Sequence, residues 1–324
     1  MIRKFLLKLL VVASFPCVGM LLWCVFVIAL DYRSYHSLIV LPDCCRIVIC
    51  GNSQSRDALN PLFFPLLHNC SAAATTEDQN LLRLKDVLDA NTGNDSLQYV
   101  LIDVNCKMIG QDERSVPLSD GGPERVHALL HFYHMRDSKR PLGSITRLVR
   151  DVVILRKFSE LRKTIMKGRA YRSPLAGGFS RVQTCGFLEH PEKAESDAKQ
   201  KADAFNSTNP FDCSTRLAEI LRASCLLVRE YGREPVFIST PISPMLMQKL
   251  DSRRVDAVTN GVATLARECG TAYFNYMSVP FPIDCWRDAN HMNVMGAERF
   301  TRQFRDDFFK WEETGKDAVR WGGQ

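Results

Sequence analysis

Ser53 stands three residues past an apolar run, Arg46–Cys50 (RIVIC), and directly behind Gly51-Asn52. A serine just beyond the end of a buried strand is placed where an activated nucleophile would be exposed. Far along the chain, Asp288-Ala289-Asn290-His291 sets an acid three residues before an imidazole. A carboxylate so placed can hold one ring nitrogen while the other faces a nucleophile, which is the chemistry of acyl transfer. Each piece also has a plainer reading. Gly-x-Ser is a common turn, and DANH also reads as a loop followed by a helix cap. The elbow of the α/β-hydrolases is absent, because Ser55 stands where its second glycine belongs. The two pieces together are far more specific than either alone. His127, His131 and His134 form another candidate, since spacings of four and three share one helix face, as metal ligands can. No HExxH pattern accompanies them, and Phe132 and Tyr133 suit a packed helix, so no metal site is expected here.

The elements around these residues alternate. Arg46–Cys50 reads as a strand, Thr75–Asn91 as a helix and Tyr99–Val104 as a strand. Asp212–Tyr231 reads as a helix stopped by Gly232, and Pro235–Ser239 as the next strand. Asp251–Cys269, Ala272–Asn275 and Val294–Trp311 continue as helix, strand and helix. The last of these puts Ala297, Phe300, Phe304, Phe308 and Trp311 on one stripe. Such an order predicts an α/β domain with a parallel sheet covered on both faces, and sites at the carboxyl ends of its strands. Ser53 and His291 then converge at one edge from opposite ends of the chain.

Residues 110–211 do not fit the alternation and read as a helical insertion. It holds a basic amphipathic helix, 145–167, and nine basic against two acidic residues between Arg147 and Arg172. A solvated helix face packed on the core explains that charge. The alternative is contact with anionic lipid headgroups or an acidic polysaccharide. Pro191–Ala204, rich in Lys, Glu, Asp and Ala, reads as an exposed helix or a mobile loop.

The compartment is read from the first thirty residues. Leu9–Leu30 is a stretch of 22 residues without a charge, and a bilayer-spanning helix needs about 20. Bulky Leu22, Trp23, Val25 and Phe26 occupy the place of a cleavage site, so 9–30 is expected to be a retained anchor rather than a removed signal. Arg3, Lys4 and Lys8 on its N-terminal flank keep residues 1–8 cytoplasmic and send 31–324 outside, as a single-pass protein of the cytoplasmic membrane. Those three residues also carry half of the net +6. The rest is close to neutral, which does not suggest a nucleic-acid-binding body. Of twelve cysteines, only Cys17 and Cys24 fall in the anchor. Ten others suit a compartment that permits disulfides, although the sequence leaves any pairing open. Cys50, at the end of an apolar run, reads as a buried thiol.

GNSQSRDALNP after the first strand and DANHMNVMGAERFT before the last helix resemble the first and last blocks of the SGNH (GDSL-type) hydrolases, most of all their membrane-anchored, exported bacterial members. The resemblance covers about residues 46–110 and 212–312. It implies a flavodoxin-like three-layer α/β/α fold, with Ser53 as nucleophile, His291 as base and Asp288 as the acid that orients it. It also implies an oxyanion hole from the backbone N–H of Ser53 and the side chain of Asn105. The implied activity is cleavage or transfer of ester-linked acyl groups, often acetyl groups on carbohydrate, without a cofactor. The chain departs from the pattern at three places. Asn52 replaces the usual aspartate, Asn69-Cys70-Ser71-Ala72 offers no clear oxyanion glycine, and Asp103-Val104-Asn105-Cys106 replaces Gly-x-Asn-Asp. These departures leave an alternative open: a catalytically silent domain that binds glycan or assists polysaccharide assembly. A membrane-surface protein acting through its basic helix is a further one.

Overall fold

A computed structural model describes residues 36, 38–72, 77–104, 186–207, 216–314 and 320–321. The chain divides into two compact units, residues 1–37 with 121–173 and residues 38–120 with 174–324. Within the first unit only His36 is among the described residues. The expected anchor 9–30, the three histidines 127, 131 and 134, and the basic helix 145–167 therefore lie outside them. Among the described residues no helix is long and apolar enough to cross a membrane, and no His/Cys/Asp/Glu cluster could hold a metal ion.

The second unit is built on short apolar strands. β1 (Ile47–Cys50), β2 (Leu67–Asn69), β3 (Tyr99–Asp103), β4 (Glu234–Ser239) and β5 (Ala272–Asn275) are buried along almost their whole length. Strands buried on both faces need layers on both sides, and parallel sheets have them. β6 (Trp286–Asp288) and β7 (His291–Met292) form a separate antiparallel hairpin. The two-residue β8 (Arg320–Trp321) lies beside β5. The sheet order is β2-β1-β3-β4-β5-β8, all parallel. The chain runs outward from β1 to β2 and then crosses back to β3. Carboxyl ends at that reversal, between β1 and β3, are where open α/β sheets form their sites.

Eight helices are described: α1 (Ser53–Ala58), α2 (Glu77–Ala90), α3 (Gly186–Glu189), α4 (Pro191–Asn206), α5 (Arg216–Glu230), α6 (Pro244–Met247), α7 (Ser252–Glu268) and α8 (Val294–Glu313). The long ones lie where periodicity predicts them. α5 stops at Gly232, whose φ of 69° suits a residue without a Cβ. α8 runs two residues past Trp311, and its predicted stripe is buried throughout. α4 is a regular helix, and Ala194, Ala198, Ala202 and Phe205 bury one face of it, so it is no loose surface segment.

The aromatic stripe of α8 packs on rings of the sheet, edge-on at Tyr99 and stacked at Phe274. Phe308 lies 5.1 Å from the ring of Tyr99, 5.3 Å from Trp311 and 6.1 Å from both Phe64 and Phe274. It is fully buried. Phe308→Ala is expected to cost about 3–5 kcal/mol, because the lost transfer energy is joined by a cavity that rigid rings cannot close. Chemical denaturation checks it, and a loss under about 1 kcal/mol would mean the layer repacks freely.

The segment 38–41 is strapped to β2 and α2. Asn91 Nδ2 donates to Ile39 O (2.7 Å), Asn91 Oδ1 accepts from Leu41 N (2.9 Å), and His68 Nε2 donates to Leu38 O (3.0 Å). Burial lowers the His68 pKa, and the bond to Leu38 O opposes that only in part. His68 thus stays neutral in the fold while the unfolded chain takes up a proton near the ordinary value of 6.5. Stability is therefore expected to fall as pH drops below that value, until the folded state also titrates. Urea unfolding at pH 7.5 and 5.5 should show a flatter pH response for His68→Gln than for the parent. Equal responses would rule the residue out as the source.

Candidate active site

Ser53 is the first residue of α1, at the carboxyl end of β1. Asn52 caps the helix: its Oδ1 accepts from Gln54 N at 2.8 Å. A cap needs only an acceptor oxygen there, so asparagine serves as well as aspartate. His291 opens β7, and the two-residue turn Ala289-Asn290 sets it directly across from Asp288 on β6. The spacing of three is thus a hairpin, neither a helical face nor a cap.

These elements bring three side chains into line. His291 Nε2 lies 2.8 Å from Ser53 Oγ, and His291 Nδ1 lies 2.8 and 3.0 Å from the two Asp288 oxygens. Asp288 Oδ1 also accepts from the backbone N–H groups of Asn290 and His291, each at 3.1 Å. Burial alone would raise the Asp288 pKa. The hydrogen bonds and charge of His291, with Lys201 and Arg287, outweigh burial and hold the carboxyl well below the usual range. An ionised Asp288 can only accept, so Nδ1 donates to it, and in the neutral imidazole Nε2 then presents a lone pair to the Ser53 hydroxyl. That is the arrangement that takes a serine proton during attack.

The two ends of the chain are locked together below this line. α1 packs on β7 and α8. Buried Thr301 of α8 accepts from Asn60 N at 2.9 Å and donates to Ala58 O at 3.3 Å, fixing the end of α1 to the helix that follows His291.

Residues at the places where the sequence departs from the SGNH-like pattern belong to one buried network. Ser55 Oγ lies 2.9 Å from Asp103 Oδ2 and 3.1 Å from Ser71 Oγ. Asp103 Oδ2 also accepts from Asn52 N at 3.4 Å. Asn69 donates to Ser55 O (3.0 Å) and Leu59 O (2.8 Å) and accepts from Ser71 N (3.0 Å), so it braces α1. Fully buried Arg83 donates from Nη1 to Gly51 O and Cys70 O, each at 3.1 Å, and ties the ends of β1 and β2. Asn52, Ser71 and Asp103, from the three places where the sequence departs from the SGNH-like pattern, are thus linked in space, Asn52 N–H directly to Asp103 and Ser71 through Ser55.

The second predicted oxyanion donor, Asn105, lies outside the described residues. The first, Ser53 N–H, belongs to the opening turn of α1, whose donors have no intrahelical carbonyl to meet. All seven described cysteines are thiols, Cys50 among them as a buried one. Burial pushes Cys45 up to about 12 and Cys285 up to about 11, so both stay protonated.

Sequence reasoning missed a line of alternating charge across the site. Arg56 and Arg287 both pair with buried Asp57, at 2.6 and 2.9 Å. Arg287 continues to Asp288 Oδ2 at 3.1 Å, and Lys201 reaches Asp288 Oδ1 at 3.5 Å and Asp197 at 2.7 Å. Only Arg56-Asp57 beside the serine, and Arg287 beside the acid, offered a local signal. The chain matches no protein-family model and no curated protein.

Proposed function

We propose that the chain is an exported, membrane-anchored serine esterase or O-acyltransferase of the SGNH type, with a flavodoxin-like three-layer domain. It would act on ester-linked acyl groups, acetyl among them, of envelope or other carbohydrate. The observation that carries the reading is the unbroken line Ser53 Oγ–His291–Asp288. Ser53 Oγ attacks the ester carbonyl while its proton passes to His291 Nε2, and Asp288 stabilises the imidazolium. The tetrahedral oxyanion takes the Ser53 N–H and, on the family pattern, Asn105. Collapse returns the proton to the leaving alcohol and leaves an acyl-Ser53 ester. Water then gives an esterase; a sugar hydroxyl gives a transferase. In this reading residues 9–30 anchor the protein in the cytoplasmic membrane with its body outside, and 145–167 meet anionic lipid or polysaccharide.

The test is hydrolysis of p-nitrophenyl acetate by the full-length protein, with labelling by a fluorophosphonate. Turnover together with a label on Ser53 supports the reading. A folded protein that neither turns over nor takes the label favours the silent glycan-binding domain.

A further inference from the structure

We propose that Lys201, carried by α4, is a positioning residue of the Ser53–His291–Asp288 array, so that docking of α4 completes the site; this rests on the esterase or acyltransferase reading. The catalytic acid and base sit on a hairpin whose second strand has two residues. A hairpin that small holds no fixed geometry by itself. It is gripped from two sides. Arg287 pairs with Asp57, one turn along α1 from Ser53, and ties the hairpin to the helix that carries the nucleophile. From the other side α4 holds every residue from Asp288 to Asn290. Asp197 Oδ2 accepts from Ala289 N at 3.3 Å, and Lys201 Nζ donates to Asn290 Oδ1 at 2.5 Å and lies 3.5 Å from Asp288 Oδ1. Ala194, Ala198 and Ala202 are buried and seat α4 in the core.

Lys201 and Asp197 are partly exposed, at 24% and 32% of the side chain. Pairs so placed add little stability, because water competes for both charges. The ammonium instead fixes the carboxylate plane that fixes the imidazole. Its loss should therefore move catalysis and the His291–Asp288 hydrogen bond more than it moves unfolding.

The experiment compares Lys201→Met, Lys201→Arg and Asp197→Ala with the parent, all full length. It measures kcat and KM on p-nitrophenyl acetate, the downfield Nδ1–H proton resonance of His291, and the melting temperature. Lys201→Met is expected to lower kcat about ten- to a hundredfold with KM little changed, as small misplacements of reacting groups do. Its resonance should move or broaden while melting shifts by only about a degree or two. Asp197→Ala should shift both readouts the same way by less, and Lys201→Arg should recover most of the loss. An unchanged kcat and resonance in Lys201→Met would overturn the proposal. So would a loss that Lys201→Arg shares in full together with a large fall in melting temperature, which marks a structural role only. If the parent hydrolyses no ester, the resonance decides alone: movement in Lys201→Met supports the positioning role and no movement overturns it, whatever becomes of the enzymatic reading.

Discussion

Ser53→Ala and His291→Ala should each cut ester turnover by roughly four to six orders of magnitude, and combining them should cost nothing more. The reason is that the two groups act as one unit: without the serine there is nothing to deprotonate, and without the imidazole the hydroxyl is a weak nucleophile. Asp288 contributes differently. It touches neither nucleophile nor ester, but selects the tautomer and stabilises the imidazolium, so Asp288→Ala should cost about 10⁴-fold. Asp288→Asn should be no better, since an amide can donate to Nδ1 and so turn the proton-bearing nitrogen toward Ser53. The carboxyl is held well below its usual range, so it should stay ionised wherever the protein is folded and active. Its contribution to stability is present above the ordinary carboxylate value and fades only as pH falls toward the depressed one. Steady-state kinetics and fluorophosphonate labelling check the set. If Ser53→Ala retained a tenth of the parental rate, the nucleophile would lie elsewhere.

What was legible in the sequence follows from how local each signal is. Ser53, Asp288 and His291 could be found because each sits beside a strand end or a helix start that periodicity marks. The long amphipathic helices were legible for the same reason. β2 was not, because Leu67-His68-Asn69 is three residues with two polar side chains turned to structural work: His68 bonds to Leu38 O, and Asn69 braces α1. α1 was missed because SQSRDA is too short for a period, and its polar residues are buried by partners rather than exposed. The pairing of Lys201 with Asn290, 89 residues away, leaves no trace in either neighbourhood. Asn52 and Asp103 are the instructive case. Read singly, each is a departure from the SGNH-like pattern. In the fold Asn52 N–H donates to Asp103 Oδ2 at 3.4 Å across 51 residues, and Ser55 donates to the same oxygen at 2.9 Å. The two departures thus meet in one buried network at the base of the loop.

That loop is also where the smallest substitution should have the second-largest effect. A Cβ on Gly51 would lie 2.2 Å from Ser55 Oγ, 2.5 Å from Asp103 Cβ and 2.8 Å from Asp103 Oδ2. No side chain can occupy those separations, so Gly51→Ala must displace the end of β1, Asp103, or both. Overpacking of this kind costs about 1–3 kcal/mol, which lowers the melting temperature of a domain this large by roughly 2–4 °C per kcal/mol. The effect on activity should be greater in proportion. Ser53 is two residues on, and a displacement of about 1 Å from His291 Nε2 costs about a hundredfold in kcat. The double variant Gly51→Ala with Ser55→Gly separates the two contacts. It removes the hydroxyl at 2.2 Å but leaves the Asp103 Cβ at 2.5 Å, and it also takes a hydrogen-bond donor from Asp103. It should therefore recover little of either loss. Full recovery would show that only a rotatable hydroxyl stood in the way, and an unaltered melting temperature and rate in Gly51→Ala alone would show that the loop beneath Ser53 is not the rigid support described.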